Sequence, residues 1–174
     1  MSLVDVAFGG AELSLISDGD YVPAARALFR QASRRCLCSL FLVDLTPAAD
    51  SELLVDTLLI ELQARGWIGV DTRLLVGGSR TNIEIAQVAL TAYRRARQLG
   101  INARLLEATQ VRGSHVKLIV ADDFVLTGSH NWSGGAFSGH IQDSVAVRSP
   151  ALADSMAALF ETQWQRGERT TVES

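Results

Sequence analysis

The feature that most constrains the fold is a run of strand length, residues 36–45, that is apolar at nearly every position. Only Ser39 and Asp44 interrupt it. A strand that faces water on one side alternates between polar and apolar residues, whereas a strand covered on both faces is apolar throughout. The run therefore predicts a sheet with helices on both of its faces.

Strand and helix patterns alternate around this run. Further strands are predicted at residues 12–16, 72–76 and 101–106. Three helices are predicted between the strands: from Pro23 to about Arg35, from Asp50 or Ser51 to about Arg65, and from Thr81 or Asn82 to Gly100. This alternation indicates an α/β fold with parallel strands.

The pattern changes at residue 115, after which short strands follow one another without helices between them. They are predicted at 115–121, 124–128 and 144–147. An antiparallel section thus joins the parallel one, which gives a mixed, mostly parallel sheet sandwiched between helices. The chain of 174 residues, 48% of them hydrophobic, is expected to form one domain over residues 1–168 with a flexible tail at 169–174.

A last amphipathic helix is predicted from Pro150 to near Trp164. Its apolar residues recur at helical spacing, so that they share one side of the helix. We expect this stripe in the core or in a dimer contact; its members are Leu152, Met156, Leu159, Phe160 and Trp164.

Lys117 is the only lysine in the chain, against fifteen arginines, and it follows His115 by two residues. A lysine ammonium contacts a single phosphate oxygen as a point charge, whereas arginine presents a planar fork. Gly128-Ser129-His130-Asn131 comes next, so a histidine, a lysine, a hydroxyl and an amide fall within seventeen residues. Such a set of side chains can hold and attack a phosphate.

The spaced set His115-x-Lys117-x4-Asp122 and Gly128-Ser129-x-Asn131 resembles the signature of the phospholipase D superfamily. With one motif copy in a short chain, the sequence is most similar to the small bacterial endonuclease branch. The resemblance implies a phospholipase D-like α/β/α fold and an active site in which two motif copies face each other. Because this chain holds one copy, the second must come from a homodimer partner related by a two-fold axis.

The resemblance also implies a two-step reaction that needs no metal and no cofactor. One His115 attacks phosphorus to form a phosphohistidine, while His115 of the partner subunit protonates the leaving group and then activates water. Asp122 either orients His115 or is a turn residue. The candidate phosphate ligands are Lys117, Ser129, Asn131 and Arg112. Arg112 is included because it lies close to His115 in sequence.

Two departures from the family pattern concern the hairpin and Gln142. Only five residues, 123–127, separate Asp122 from the Gly-Ser pair, one fewer than is usual. A two-residue loop at Asp122-Asp123 would set His130 opposite His115, whereas a loop that also includes Phe124 would set Asn131 there. We expect the longer loop, because it restores the family's site.

Gln142 stands eleven residues after Asn131, where the related endonucleases carry a glutamate that orients the histidine. An amide can accept a hydrogen bond from the imidazole, but it cannot stabilise an imidazolium by charge. Reduced turnover or a shifted pH optimum is therefore expected, with Gln142 retained as a candidate catalytic residue.

The remaining histidines and the cysteines have structural interpretations. His130 is interpreted as the variable residue of Gly-Ser-x-Asn and His140 as a loop residue. The gaps of 15 and 10 residues between the three histidines match no usual metal-ligand spacing, so no metal site is predicted. Cys36 and Cys38 point to the same sheet face and are expected to form a buried thiol pair.

Charge and hydropathy narrow the functional classes. A net charge of −3 is unusual for a general nucleic-acid binder, although arginine clusters such as Arg34-Arg35 leave room for local phosphate contacts. No apolar run is long enough to cross a bilayer and no leader pattern is present, so a cytoplasmic protein is expected. The leading hypothesis is a nuclease, and the alternatives are a phospholipid-cleaving hydrolase and a noncatalytic nucleic-acid-binding or scaffold module.

Overall fold

The protein is described here by a computed structural model covering residues 11–45, 51–79, 81–106 and 114–167. The predicted tail, Asp50 and Arg112 lie outside these residues. The strands are β1 Glu12–Ser17, β2 Arg35–Leu40, β3 Asp71–Gly77, β4 Asn102–Leu106, β5 Lys117–Ala121, β6 Phe124–Gly128 and β7 Asp143–Arg148. The helices are α1 Tyr21–Gln31, α2 Ser51–Trp67, α3 Ile83–Gln98 and α4 Pro150–Trp164.

The described strands form one sheet in the order β1-β7-β6-β5-β2-β3-β4. Strands β2, β3 and β4 are parallel to one another. Strands β5 and β7 run in the opposite direction to the other five. The predicted mixed sheet is confirmed, but parallel pairing is less extensive than predicted. Each reversed strand lies between two strands of the opposite direction, which makes four of the six neighbouring pairs antiparallel.

Helices cover both faces of the sheet, as the apolar run of β2 predicted. On one face, α1, α2 and α3 pack over Cys36, Cys38 and Ile119. On the other face, α4 packs Phe160 and Trp164 against a second cluster of sheet residues, Leu37, Leu75, Leu118, Val120 and Val125. In the predicted stripe of α4, Phe160 and Trp164 are thus buried, whereas Leu159 is 48% exposed. Leu152 and Met156 are partly buried against the same cluster. None of the helices in the described ranges is long and apolar enough to span a membrane.

The chain leaves the sheet earlier than predicted at the end of β2. The predicted strand 36–45 ends at Leu40, and the Phe41 N–H donates to Val116 O at 2.8 Å. Phe41 crosses directly over Gly77, where a Cβ would lie 2.9 Å from the Phe41 Cα. Glycine at this position lets the segment pass, and Val43 then forms an isolated parallel bridge with Trp132. This path carries Phe41 toward the start of β5.

Helix boundaries also differ slightly from the predictions. Helix α1 ends at Gln31 rather than near Arg35, because Ala32 is already extended and the chain must enter β2 at Arg35. Helix α3 begins as predicted after Asn82, whose side chain accepts hydrogen bonds from the N–H groups of Glu84 and Ile85 at 3.0 and 3.1 Å.

The β5–β6 hairpin has a two-residue loop, Asp122-Asp123, because Ala121 pairs with Phe124. The expected three-residue loop is therefore wrong. Asp122 adopts a left-handed backbone with φ of 49°, which a tight hairpin turn requires and which aspartate tolerates. Its carboxylate accepts hydrogen bonds from the N–H groups of Ser33, Arg34 and Arg35, which fix the short loop against the start of β2.

One edge of the sheet gathers the motif residues. Lys117, the first residue of β5, pairs with Leu40, the last residue of β2. Gly128, the last residue of β6, pairs with Ser144 near the start of β7. The chain segments that carry His115, Asn131 and Gln142 therefore all leave the sheet at this edge, together with the end of β1.

Candidate active site

His115 and Lys117 are in direct contact at this edge. Their side chains share a strand face, as the two-residue period predicted. The Lys117 Nζ lies 2.9 Å from His115 Nδ1 and 3.3 Å from Nε2, and it donates to His115 O at 3.1 Å. An ammonium only donates, so the contact with Nδ1 requires that this nitrogen carries its lone pair. Lys117 is 8% exposed, whereas His115 is exposed to solvent.

Phe41 forms one wall beside this pair. Its ring centroid lies 4.5 Å from that of His115, with the planes tilted by 43°. The Lys117 Nζ lies 5.3 Å from the same ring centroid, within the range of a cation–π contact. Nothing in the sequence singles out Phe41 beyond its place in an apolar run, because the direction of its side chain depends on the crossing over Gly77.

The electrostatics of the pair favour an uncharged imidazole. Partial burial lowers the pKa of His115, and the neighbouring Lys117 charge lowers this pKa further. Burial also lowers the pKa of Lys117 itself. At neutral pH the imidazole is thus held in the neutral form, which is the form that can act as a nucleophile.

Ser129 is held by the backbone of β7. Its N–H and its hydroxyl donate to Asp143 O at 2.9 and 3.1 Å, and its Oγ accepts from the Asp143 N–H at 3.0 Å. In this arrangement the hydroxyl fixes the turn rather than pointing freely to a ligand. Its predicted contact with phosphate would require the hydroxyl to rotate, and it stays a prediction.

Asn131 and Gln142 each present a buried amide oxygen with no hydrogen-bond partner among the described residues. Both side chains are only half-buried as a whole. Buried amide groups are normally satisfied, so at each of these oxygens a water, a ligand or a partner chain can complete the bonding. Each of these side chains also has an N–H₂ group, which is the kind of donor that a phosphate oxygen needs.

Gln142 is anchored through its backbone. Its N–H donates to Asp18 Oδ1 at 2.8 Å, and its carbonyl accepts from the Asp18 N–H at 3.0 Å. The short 3₁₀ turn Asp18–Asp20, which follows β1, therefore holds the start of β7. Asp18 is not among the candidate residues that the sequence indicated.

Asp122 lies at the opposite end of β5 from His115. Besides the three N–H groups already named, the Ser33 hydroxyl donates to it at 2.9 Å. Partial burial raises its pKa, but the N–H donors of Arg35, Ser33 and Arg34 outweigh this and lower the pKa overall. The structure does not bring Asp122 to the imidazole, and its contacts are those of an anchor for the hairpin.

The other histidines differ from each other in environment. His130 is completely buried, and its ring contacts Tyr21, Ser144 and Asp18. His140 is exposed in the loop after the five-residue π-helix Gly135–Gly139. Within the described ranges no group of three or more histidine, cysteine or acidic side chains is placed to hold a metal. Cys36 and Cys38 are buried free thiols, and burial raises the pKa of Cys36 to about 12.

Solved structures with this fold come from several organisms. The chain is similar to the phospholipase D family member Nuc from Salmonella typhimurium, with a TM-score of 0.71, 20% identity and 91% and 97% of the two chains covered. It is equally similar to NucT from Helicobacter pylori, with a TM-score of 0.71, 12% identity and coverage of 92% and 99%. Phosphatidylserine synthase from Haemophilus influenzae Rd KW20 matches with a TM-score of 0.65, 17% identity, and coverage of 87% of this chain and 36% of that chain.

Of two sequence comparisons, one identifies the family of this chain. A search of curated proteins found no match. A family model described as "Cardiolipin synthase, PLD-like domain" matches residues 26–164, a range that contains both parts of the motif. The structural likenesses, all below 25% identity, show the same fold. The chain therefore belongs to the phospholipase D-like domain family.

Proposed function

We propose that the protein is a metal-independent phosphodiesterase that cleaves nucleic acid at the interface of a homodimer. Membership of the phospholipase D superfamily supports phosphodiester chemistry in general. The observation that carries the proposal is the contact of Lys117 with a neutral, exposed His115 at the sheet edge that also holds the unpaired amide of Asn131. We infer that nucleophile, charge and amide act together on one phosphate at this edge.

In the first proposed step, the Lys117 ammonium donates a hydrogen bond to a non-bridging phosphate oxygen in place of His115. The lone pair of the His115 imidazole is then free. The imidazole attacks phosphorus, so that a P–N bond forms as the P–O bond to the leaving group breaks. The negative charge of the bound phosphodiester favours protonation of one of the two imidazoles. This imidazolium, His115 of the partner subunit, gives its proton to the leaving oxygen. Lys117 and Asn131 stabilise the charge on the non-bridging oxygens.

In the second step, His115 of the partner subunit is neutral and takes a proton from water. The hydroxide attacks phosphorus, the P–N bond breaks, and the imidazole of His115 leaves unchanged. The net reaction consumes one water and gives a phosphomonoester and an alcohol. The residues of this chain supply every proton transfer, and no metal or cofactor is required.

The dimer is needed because one chain supplies only one such imidazole. Apolar side chains stand exposed along the same edge of the sheet, with Ile141 92% and Ile83 73% exposed. We propose that the two-fold interface covers these residues. Ile141→Asp is expected to convert dimer to monomer in sedimentation experiments and to remove activity, whereas Ile60→Asp on α2 should change neither. A dimeric and active Ile141→Asp variant would contradict this placement.

Phe41 favours nucleic acid as the substrate. An aromatic ring beside the reacting imidazole offers a platform on which a base next to the scissile phosphate can stack. A cytoplasmic location is part of the proposal, because the buried free thiols Cys36 and Cys38 suit a reducing compartment. A phospholipid-cleaving hydrolase is the second candidate, favoured by the lipid-related description of the matching family and by the fold shared with a phosphatidylserine synthase.

The test is hydrolysis of bis(p-nitrophenyl) phosphate in excess EDTA. Wild type and His140→Ala, in which an exposed loop histidine is removed, should turn over, and His115→Ala should not. Parallel assays with single-stranded DNA and with phospholipid vesicles assign the substrate class. A wild type that binds DNA without hydrolysing any diester would support a noncatalytic binding module, for which Gln142 in place of glutamate is the motivating observation.

A further inference from the structure

His130 lies between two predicted phosphate-binding residues, yet its ring points into the core. It is fully buried and stacks on Tyr21 with ring centroids 4.5 Å apart and planes at 15°. Its Nδ1 lies 2.8 Å from Ser144 Oγ and its Nε2 lies 3.2 Å from Asp18 O. The ring therefore joins three segments, which are the Gly-Ser-x-Asn turn, strand β7 and the turn after β1.

The two hydrogen bonds fix the form of this imidazole. A backbone carbonyl only accepts, so Nε2 must carry the proton that is shared with Asp18 O. Nδ1 then accepts from the Ser144 hydroxyl, and the neutral ring satisfies both partners. Burial lowers the pKa of His130, which keeps the ring in this neutral form at pH 7.

The Asp18 end of this network reaches the second amide of the site. Asp18 adopts a left-handed backbone with φ of 45°, and its main chain and carboxylate hold Gln142. Because His130 binds the carbonyl of the same residue, it restrains the turn that sets the position of Gln142. One buried ring is thus connected to both amide side chains of the site.

Asn131 depends on its neighbours for its position, since its amide oxygen has no hydrogen-bond partner among the described residues. Ser129 ties the turn to β7 on one side. On the other side the Trp132 N–H donates to Leu42 O at 3.0 Å, and its indole donates to Tyr21 Oη at 3.2 Å. Between the Ser129 and Trp132 attachments, the hydrogen bonds of His130 restrain the residue directly before Asn131.

We propose that His130 is a positioning residue, which holds the Asn131 amide where it binds the phosphate of the substrate. The inference rests on the proposed function, because it concerns the same site. A histidine with only a packing role would affect stability alone. A positioning residue acts through Asn131, so its removal should matter only while the Asn131 amide is present.

The experiment is a double-mutant cycle of His130→Phe and Asn131→Ala, measured as kcat/KM for bis(p-nitrophenyl) phosphate and as Kd for inorganic phosphate. Phenylalanine keeps the stack on Tyr21 and removes both hydrogen bonds. His130→Phe is expected to lower kcat/KM about 10- to 100-fold in the wild-type background. In the Asn131→Ala background the loss should shrink to about threefold or less, because interacting sites are not additive.

Two further variants separate positioning from folding. His130→Gln retains one donor and one acceptor, so it should recover part of the kcat/KM that His130→Phe loses. If His130→Phe does not fold, His130→Gln takes its place in the cycle. Leu75→Val, buried under α4 on the other sheet face, should lower the melting temperature without changing kcat/KM or Kd.

The outcomes distinguish the two proposals. Turnover by wild type with equal losses in both backgrounds would overturn the role of His130 and leave the proposed function intact. Phosphate binding that shows the coupling in Kd, without turnover of any diester, would support the role of His130 and count against the proposed function. Absence of both turnover and phosphate binding in the wild type would overturn both.

Discussion

The two ends of the β5–β6 hairpin differ in how completely their polar groups are bonded. At the loop end, the Asp122 carboxylate accepts four hydrogen bonds from residues 33–35. At the other end, the amides of Asn131 and Gln142 lack partners for their oxygens among the described residues, and Lys117 rests on His115. The comparison indicates that the loop end stabilises the fold. The opposite end has unused bonding capacity, and it is the ligand end in the proposed function.

The largest effect is expected from removing the charge at the ligand end. Lys117→Met should lower kcat/KM about 100- to 1,000-fold, because a preorganised donor to the phosphate is lost. The melting temperature should hold or rise, since the substitution removes a buried ammonium. Lys117→Arg retains the charge in a different geometry, so its kcat/KM should lie between the values of the wild type and of Lys117→Met. A Lys117→Met variant with wild-type kcat/KM would show that the contact with His115 has no catalytic role.

The loop end should respond in the opposite way. Asp122→Ala is expected to destabilise the protein by about 1–3 kcal/mol, because the N–H groups of Ser33, Arg34 and Arg35 lose a charged acceptor. Activity per folded molecule should be retained. Urea denaturation measures this, with Asp123→Ala as the control. Asp123 is more exposed and paired with Arg34, so its loss should cost less than about 1 kcal/mol. Loss of activity in folded Asp122→Ala would place Asp122 in the catalytic apparatus.

Gln142→Glu sharpens the comparison by adding a charge at the ligand end. A carboxylate close to His115 would stabilise its protonated form and raise its pKa, so the acid limb of the kcat/KM profile should move to higher pH. Turnover is expected to rise about tenfold, because proton transfer improves. The profile should be recorded beside that of Gln98→Glu, an exposed substitution at the end of α3. Identical profiles for Gln142→Glu and wild type would contradict a role for this position.

The smallest effect concerns the pH dependence of stability. The folded-state pKa of His130 lies below its ordinary value of 6.5, so the unfolded chain binds a proton first as the pH falls. Stability from this source is fully present above 6.5 and declines between 6.5 and the lower folded value. The free energy of unfolding, measured by chemical denaturation over this pH range, should depend less steeply on pH for His130→Phe than for wild type. Equal slopes would mean that His130 is not held neutral.

Local pattern predicted the elements of this fold well. The apolar run at residues 36–45 and the proline at position 23 led to β2 and α1, and the two-residue period placed His115 and Lys117 on one face. These features depend on near neighbours in sequence. The number of parallel pairs could not be obtained in this way, because it depends on where the reversed strands β5 and β7 insert into the sheet.

The hairpin loop and His130 show where sequence interpretation failed. Family spacing favoured a loop that includes Phe124, whereas the N–H groups of residues 33–35 stabilise the shorter one. Those donors are almost ninety residues away along the chain, so no local pattern reveals them. The partners of His130, Asp18 and Ser144, are likewise distant or inconspicuous in sequence, and the ring was interpreted as a variable residue.

Gly128, which opens the Gly-Ser-x-Asn motif, has a consequence for how the protein can change. A Cβ there would lie 2.4 Å from Asp143 O and from Ser144 Oγ. Any larger residue would push β6 away from β7, displacing the partner that Ser144 provides to His130. The first residue of the motif therefore cannot be replaced without disturbing the residues around it. New substrate preferences of the proposed phosphodiesterase would have to arise in neighbouring segments, such as residues 41–45, where Phe41 contacts His115.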